Sequence, residues 1–371
     1  MKSEISPSKW PISDPLPQPL APTSRHILRH PDRHTTWIVT GTIWFTSPLG
    51  TGTEESVRKD ITNRIADIAQ KMPITSAKLQ GDWWVPGQPP EPILVDSADP
   101  RPPWLLRPFD LKHEPPLRVA VGIHGEWFTI VAHHAAIDGV NAIPFFKILC
   151  GEEPIIPGTP PSMAKKVTPP LHVINRILRP ADPVAHSNPL PSNETFANIE
   201  LPFVGKGIKG KLASALVKSL CAHNARYGVS LERIGISASI MELDDSIPIA
   251  SYRRIDIPPG VPIDETFERE ISIPEEPWEL IHAPRALRLL SPLTGRLSDT
   301  VLLSNFGRWS LQGVNAIELY PVARGRSAVS VAAVRTKGGK SLLTIRACYL
   351  NKNDARRILE ETVAQLSDHE T

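Results

Sequence analysis

The sequence predicts an α/β or α+β protein built of two similar lobes, and three observations support this. At 371 residues the chain is long enough for two hydrophobic cores. Strand-like and helix-like patterns alternate in both halves. A proline-rich stretch of weak periodicity, residues 151–193, separates the halves. We therefore expect a loosely attached, proline-rich arm over 1–30, an N-terminal lobe over 31–175, a linker over 176–194 and a C-terminal lobe over 195–371.

The N-terminal half opens with a strand signal, the β-branched and aromatic segment "HTTWIVTGTIWF" at 34–45. Apolar residues then recur at helical spacing from Val57 to Met72 and stop before Pro73, which predicts a helix with one buried face. The segment "PLRVAVGIHGEWFTIVAHH" predicts two strands joined by a turn at His124–Gly125. An apolar stripe from Val140 to Leu149 predicts the next helix.

The C-terminal half repeats the alternation. The segments "FANIELPFV" and "RIGISASIMEL" predict strands, and the chain between them predicts a helix that ends at Gly228. Two strands around Gly338–Gly339 predict a hairpin. The final "NDARRILEETVAQL" predicts an amphipathic helix capped by Asn353 or Asp354, and a short helix is expected near 171–178.

Composition excludes several classes of function. The formal net charge is only +2, so we expect neither a nucleic-acid nor a membrane partner. Cys150, Cys221 and Cys348 are far apart and odd in number, which predicts reduced thiols in a cytoplasmic protein and not a disulfide framework. No apolar run approaches ~20 residues and the N-terminus has no signal-peptide core, so neither membrane spanning nor secretion is expected.

The densest cluster of candidate functional residues lies at the end of the first hairpin. His133 and His134 stand there side by side, and Asp138 and Gly139 follow within five residues of His134. A metal site is disfavoured, because adjacent strand residues point to opposite faces and neither ligand spacing, His-x-His or His-x-x-x-His, occurs here. Two interpretations remain. One is a plain strand end, with Asp138 accepting backbone N–H bonds and Gly139 at positive φ. The other is catalytic: one imidazole, mostly neutral near pH 7 with an ordinary pKa of ~6.5, takes a proton from a hydroxyl or amine in a cleft.

The residues "HHAAIDG" match a His-His-x-x-x-Asp-Gly signature. The chain thereby resembles the CoA-dependent acyltransferase superfamily, which includes chloramphenicol acetyltransferase, the condensation domains of nonribosomal peptide synthetases and the plant BAHD acyltransferases. Upstream, "RPFDLKHEPPLRVAV" resembles the segment that leads into the signature strand. Downstream, "VLLSNFGRW" resembles the Ser-Asn-hydrophobic-Gly segment of the second lobe. The similarity runs weakly over about 34–366.

This resemblance implies two pseudo-symmetric lobes of the chloramphenicol acetyltransferase kind, each a two-layer sandwich of a mixed sheet and helices, with an active-site tunnel between them. His134 would be the general base that lets a hydroxyl or amine of a small specialised metabolite attack a thioester. His133 would pack beneath it, and Asp138, with Gly139 after it, would anchor the loop. Acyl-CoA or the phosphopantetheine thioester of an acyl carrier protein would be the co-substrate, with no permanently bound cofactor, no metal and no covalent acyl-enzyme. Because one chain supplies both lobes, a monomer is expected.

One departure concerns the partner of Asp138. Where relatives place an arginine in the second lobe, this chain has Asp244, so the buried carboxylate needs another donor. Backbone N–H groups are candidates, as are Arg253, Arg254 and Arg308. Two alternatives therefore stay open: an enzyme of the same fold with other chemistry, such as a cyclase, and a binding protein whose site has degenerated.

Second-lobe candidates for the site are Ser304, Asn305 and Arg308, all within "VLLSNFGRW". Asn305 could orient the site or bind an oxyanion, although a turn at the strand end explains it as well.

A basic segment at 205–211 spells Gly-x-x-x-x-Gly-Lys. A phosphate-binding loop needs Ser or Thr next, and this chain has Leu212, so nucleotide hydrolysis is disfavoured. The interpretation without a binding role is a solvent-exposed loop that precedes a helix. The alternative is that Lys206, Lys209 and Lys211 attract the phosphates of coenzyme A or of a carrier arm.

Overall fold

The computed structural model describes residues 15–30, 35–137, 142–153, 166–167, 170–188, 194–202, 208–244, 247–257, 260–271, 275–276 and 296–367. The strands within them are β1 (Gln18–Pro19), β2 (Ile38–Phe45), β3 (Lys78–Gln80), β4 (Trp83–Val85), β5 (Pro92–Val95), β6 (Leu117–Gly122), β7 (Trp127–His133), β8 (Lys166–Val167), β9 (Thr195–Glu200), β10 (Ile234–Asp244), β11 (Ile247–Ile257), β12 (Glu275–Glu276), β13 (Val301–Trp309), β14 (Val314–Tyr320), β15 (Val329–Thr336) and β16 (Ser341–Ala347). The helices are α1 (Pro22–Arg29), α2 (Glu54–Lys71), α3 (Ala142–Leu149), α4 (Pro170–Leu178), α5 (Ile208–Arg226), α6 (Ile263–Ile271) and α7 (Lys352–Ser367), with 3₁₀ turns at Pro73–Ser76 and Pro103–Leu106.

The N-terminal lobe is built on a five-stranded mixed sheet in the order β14-β2-β7-β6-β5. Strands β2, β7 and β6 are antiparallel neighbours, whereas β5 runs parallel to β6. Helix α2 buries the apolar stripe predicted from its spacing and ends before Pro73, which cannot continue a helix. Its buried residues share one core with the sheet: Val57, Ile61, Ile65 and Ile68 lie with Val119, Phe128 and Ile130.

The C-terminal lobe is built on a six-stranded mixed sheet in the order β11-β10-β13-β15-β16-β9. Strand β13 is parallel to both of its neighbours, and the other pairs are antiparallel. Helices α5, α6 and α7 contribute to its core, with Leu216, Phe267 and Ile358 among the buried residues. Helices and mixed sheets in both halves confirm the predicted α/β class.

The two lobes share a strand, which the sequence patterns did not reveal. Strand β14 lies within the range 195–371 expected for the C-terminal lobe, yet it pairs antiparallel with β2 in the first sheet. The end of β13 also enters the first core, where the rings of Phe146 and Trp309 lie 6.2 Å apart. A local pattern can indicate that Val314–Tyr320 is a strand, but the choice of sheet depends on contacts across the whole chain.

The described part of the N-terminal arm is attached to the first lobe, in contrast to the loose attachment predicted for 1–30. Strand β1 pairs with β4, and Leu20 is 3% exposed. Ser24 of α1 donates its hydroxyl to the carbonyl oxygen of Ala135 at 2.6 Å. Strand pairing and buried contacts therefore hold residues 15–30 in place, and residues 1–14 lie outside the described chain.

The N-cap of α7 differs from the predicted Asn353 or Asp354. The helix begins at Lys352, and Asn351 is its cap. The side-chain oxygen of Asn351 accepts the N–H of Asp354 at 2.8 Å, and its amide donates to the Asp354 carboxylate at 2.9 Å. Asp354 thus sits in the first turn and completes a reciprocal cap.

Candidate active site

The two adjacent histidines are held from opposite sides by the neighbouring strands. His133 ends β7, and its N–H donates to the carbonyl of Pro116, just before β6, at 2.8 Å. His134 begins the following turn, and its N–H donates to the carbonyl of Trp37, just before β2, at 2.7 Å. The side chains of consecutive strand residues point to opposite faces of a sheet, so the two imidazoles lie in different surroundings.

The imidazole of His133 accepts a backbone hydrogen bond and packs against an aromatic ring. The N–H of Ala135 donates to its Nδ1 at 3.2 Å, which places the proton of the neutral ring on Nε2. The edge of the ring meets Phe109, with centroids 5.9 Å apart and planes at 89°. Burial, assisted by His134 and Arg118, lowers the pKa of His133 to about 4. This ring is therefore neutral at pH 7 and packed against Phe109.

Arg118 supports that packing from behind. It is 9% exposed and donates to the carbonyl oxygens of Leu105 and Pro108 and to the carboxylate of Glu114. Its guanidinium lies 3.9 Å from the centroid of the Phe109 ring. Arg118 belongs to the segment "RPFDLKHEPPLRVAV" that leads into the signature strand, and it fixes the chain that carries Phe109, against which His133 packs.

The imidazole of His134 is half-buried, and its Nδ1 faces an acceptor where the Nδ1 of His133 faces a donor. Its Nδ1 lies 3.4 Å from the carbonyl oxygen of Ile137, an atom that can only accept. When Nδ1–H donates there, the basic lone pair of the neutral ring is on Nε2. The ring also stacks on Trp37, with planes at 13° and centroids 6.5 Å apart. Asp138 and Gly139, the other predicted members of the cluster, lie outside the described residues.

Trp37 is a neighbour of the site that the sequence interpretation missed. It is 7% exposed, its φ is +48°, and no described residue accepts its buried indole N–H. A positive φ is rare for a bulky residue. The sequence indicated only that Trp37 is an aromatic residue at the start of a strand. Trp37 comes to lie beside His134 because β2 pairs with β7.

The second-lobe candidates Ser304 and Asn305 lie in the middle of β13. Ser304 is 2% exposed. The side-chain oxygen of Asn305 accepts the N–H of Gly307 at 3.1 Å, beside an irregularity in the pairing of β13 with β15. Gly307 has φ of +70°. Asn305 thus lies at an irregularity inside the strand, whereas a turn at the strand end was the structural role predicted for it, and Arg308 beyond this point is exposed.

Two lysines of the basic segment at 205–211 differ in their exposure. Lys211 is exposed, whereas Lys209 is half-buried and lines a small, mostly apolar pocket together with Asn305. The N–H of Gly210, in the first turn of α5, donates to Glu268 at 2.7 Å. A phosphate at a helix N-terminus uses such amides, so the carboxylate occupies one donor that a phosphate-binding loop would need. Lys206 lies outside the described residues.

Of the arginines considered as donors to Asp138, Arg254 is 8% exposed and binds carboxylates of its own lobe. Its Nε lies 2.9 Å from Asp256 and 3.3 Å from Asp299. The side chains of Arg253 and Asp244 lie outside the described part of the chain.

Within the described residues, potential metal ligands do not cluster and two cysteine thiols have raised pKa values. No group of three or more His, Cys, Asp or Glu there could hold a metal ion. Burial raises the pKa of the Cys150 thiol to about 12 and also raises the pKa of Cys221, so neither thiol is a ready nucleophile near pH 7. Within the same residues, no helix has the length and apolarity of a membrane span.

Comparison with known proteins shows a shared fold without close sequence similarity. No family model and no curated protein sequence matches the chain. The condensation domain of the Monacolin K polyketide synthase MokA matches with a TM-score of 0.56 and 12% identity, over 95% of this chain and 97% of that one. The first condensation domain of the CDA synthetase matches with a TM-score of 0.58 and 13% identity, over 95% of each chain.

Two further matches are proteins named for other reactions. The wax ester synthase/diacylglycerol acyltransferase of Marinobacter aquaeolei matches with a TM-score of 0.56 and 15% identity, over 95% of this chain and 98% of that one. The epimerization domain of the third module of tyrocidine synthetase B matches with a TM-score of 0.53 and 11% identity, over 97% of each chain. The chain therefore has the two-lobed α/β fold of condensation domains and wax ester synthase, which are members of the CoA-dependent acyltransferase superfamily.

Proposed function

We propose that the protein is an acyltransferase or condensing enzyme in which His134 is the general base. The observation that carries the proposal is the different binding of two adjacent imidazoles. His133 uses its Nδ1 to accept a backbone N–H and packs on Phe109. His134 directs Nδ1 toward a carbonyl, which leaves Nε2 as its basic atom. A half-buried imidazole whose Nδ1 faces a carbonyl suits proton abstraction from an acceptor through Nε2.

The reaction needs no covalent acyl-enzyme. His134 takes the proton of a hydroxyl or amine as the acceptor attacks the thioester carbonyl. The tetrahedral intermediate then collapses with loss of the thiolate, which takes the proton from the imidazolium. The high pKa of the Cys150 thiol agrees with direct transfer. The product is an ester when the acceptor is an alcohol and an amide when it is an amine.

The donor in this proposal is an acyl-CoA or an acyl carrier protein, and the acceptor is a small specialised metabolite. A related structure, the starter condensation domain of rhizomide synthetase, was solved with C8-CoA and Leu-SNAC, which supports a thioester donor. We place the two substrates in a tunnel between the lobes of a cytoplasmic monomer, with Asp138 and Gly139 shaping the loop after His134. Lys206, Lys209 and Lys211 remain candidates for attracting the donor phosphates.

The alternative is another reaction on the same scaffold, and the epimerization domain among the matches gives it a specific basis. Such an enzyme would convert a thioester-bound substrate without any acceptor. An acyltransferase requires both substrates, so omission of the acceptor separates the two reactions.

Replacement of His134 by alanine should lower turnover by ~10²–10⁴, because the acceptor then loses its general base. Wild type and variant are incubated with acyl-CoA and acyl-SNAC thioesters together with amine and alcohol acceptors. Released thiol is measured colorimetrically and products are identified by mass spectrometry. His113→Ala is the control, since that side chain is 80% exposed and pairs with Asp110 at the surface. Full activity of His134→Ala would exclude the general-base role.

A further inference from the structure

We infer that Trp37 is a positioning residue that holds the imidazole of His134 in its working orientation. The kinetic part of this inference rests on the proposed function, whereas its structural part does not. Trp37 contacts His134 twice: its carbonyl accepts the His134 N–H at 2.7 Å, and its ring lies nearly parallel to the imidazole at 13°. One contact fixes the backbone of His134 and the other limits rotation of its ring.

Trp37 occupies its position in spite of two unfavourable features. Its φ of +48° lies in the left-handed region, where a large side chain is strained. Its buried indole N–H has no hydrogen-bond partner among the residues that the structure describes, although buried donors are nearly always paired. A strained residue with an unpaired donor beside a candidate base is more economically explained by a function of its flat ring than by local stability.

The surrounding structure enforces the position of Trp37 from both sides. In the second lobe, Arg346 donates to the hydroxyl of Thr36 and to the carbonyl of Ile38, the residues that flank Trp37. From the arm, the ring of His30 meets the indole edge-on, with centroids 5.0 Å apart. Strain persists where the neighbours determine the conformation, and here they belong to the arm and to the other lobe.

The consequence for the reaction follows from geometry. The basic Nε2 of His134 is at the far end of a ring whose rotation displaces it directly. A misplacement of about 1 Å between reacting groups can lower a rate by ~10²-fold. Trp37 therefore acts on turnover through His134 and not through contact with the substrate.

The test compares two replacements of Trp37 with a matched control. Trp37→Phe keeps a flat ring and removes the N–H, whereas Trp37→Leu keeps apolar volume and removes the flat ring. Trp127→Leu is the control, because Trp127 is also a buried tryptophan whose indole N–H has no partner among the described residues. It packs with Ile38 and Val131 in a cluster that does not include Trp37. We expect Trp37→Leu to lower kcat by ~10–10²-fold with little change in KM, and Trp37→Phe to restore most of the loss. Trp127→Leu should leave kcat close to that of wild type.

A second readout does not depend on activity. The ring resonances of His134 and their pH titration are followed by NMR in histidine-labelled protein, with the signal assigned from His134→Ala. Trp37→Leu should shift these resonances, and Trp127→Leu should not. If His134→Ala keeps full activity while this NMR shift occurs, the proposed function fails and the positioning contact stands. If Trp37→Leu matches Trp127→Leu in both kcat and the His134 resonances, the inference is overturned.

Discussion

At the scale of single residues, two histidines of the same chemistry acquire different properties from atoms of the backbone around them. The alternation of strand residues predicts that His133 and His134 differ, but it does not say how. The difference comes from an N–H of Ala135 on one ring and a carbonyl of Ile137 near the other. Hydrogen bonds in the turn thus set the tautomers, and burial sets the low pKa of His133.

The low pKa of His133 predicts a pH-dependent loss of stability. An unfolded histidine binds its proton near pH 6.5, whereas His133 in the folded protein binds it near pH 4. The unfolded state therefore holds more protons between these values, so the stabilisation is complete above pH 6.5 and is lost as the pH falls toward 4. At ~1.4 kcal/mol per pKa unit, the full loss is about 3–4 kcal/mol.

The variant His133→Asn should remove that dependence, because Asn keeps an acceptor for the Ala135 N–H but does not titrate in this range. Free energies of unfolding from urea denaturation, measured for both proteins at several pH values, give the difference. The advantage of wild type should shrink as the medium is acidified. Parallel pH profiles for the two proteins would show that His133 does not titrate as described.

At the scale of secondary structure, local patterns predicted several elements, although not β11, α6 or β14, and they left most strand partners open. The spacing from Val57 onward is a property of neighbouring residues, and α2 forms as expected. The partner of β14 is decided by distant contacts, such as the approach of Phe146 and Leu319 to Gly41, where a Cβ would lie only 2.8 Å from the Phe146 ring. No short pattern contains that information.

The same distinction applies to the candidate site. His133 and His134 could be selected from the signature and its position at a strand end. Trp37 could not, because its relation to His134 exists only after β2 and β7 have paired. The attachment of α1 was missed for the same reason, since a single serine at 24 reaches the turn after the histidines.

Replacement of Ser24 by alanine should loosen α1. The Ser24 hydroxyl is 7% exposed and donates to Ala135 across 111 residues of sequence, so its loss should lower the free energy of unfolding by ~1 kcal/mol. Amide hydrogen exchange in 22–29 should become faster. Ser230→Ala is the control, because that hydroxyl forms a hydrogen bond at an exposed site. Equal exchange in the two variants would mean that the Ser24 bond does not anchor the helix.

At the scale of the whole molecule, two buried arginines join the lobes around one aromatic ring. Arg346 of β16 is fully buried, binds Glu194 and reaches Thr36 and Ile38 of the first lobe. Arg101 binds Glu318 of the shared strand β14. Both guanidinium groups lie over Phe196, at 5.5 and 5.6 Å from its centroid. Since a buried charge is tolerated only when it is paired, this junction depends on its carboxylates.

Removal of the Glu194 carboxylate should be costly, because it leaves the Arg346 charge buried without an anion. We expect Glu194→Ala to lower the free energy of unfolding by ~3–5 kcal/mol. Glu200→Ala, which breaks an exposed pair with Lys340, should cost at most ~1 kcal/mol. Denaturant unfolding measures both changes, and similar values for the two variants would contradict the prediction. The double variant Glu194→Ala/Arg346→Met should lose less than the sum of the single changes, because the unpaired charge is then gone.

The junction should also affect the site, because Arg346 holds the residues on either side of Trp37. When Glu194 is removed, Arg346 is less firmly oriented, and the strained backbone at Trp37 loses part of its support. Glu194→Ala should therefore shift the His134 resonances in the same sense as Trp37→Leu, although Glu194 belongs to the chain leading into β9 of the other lobe. A folded Glu194→Ala protein with wild-type His134 resonances would show that the junction stabilises the lobes without acting on the histidine. A shift would make the contact between lobes part of what orients the base.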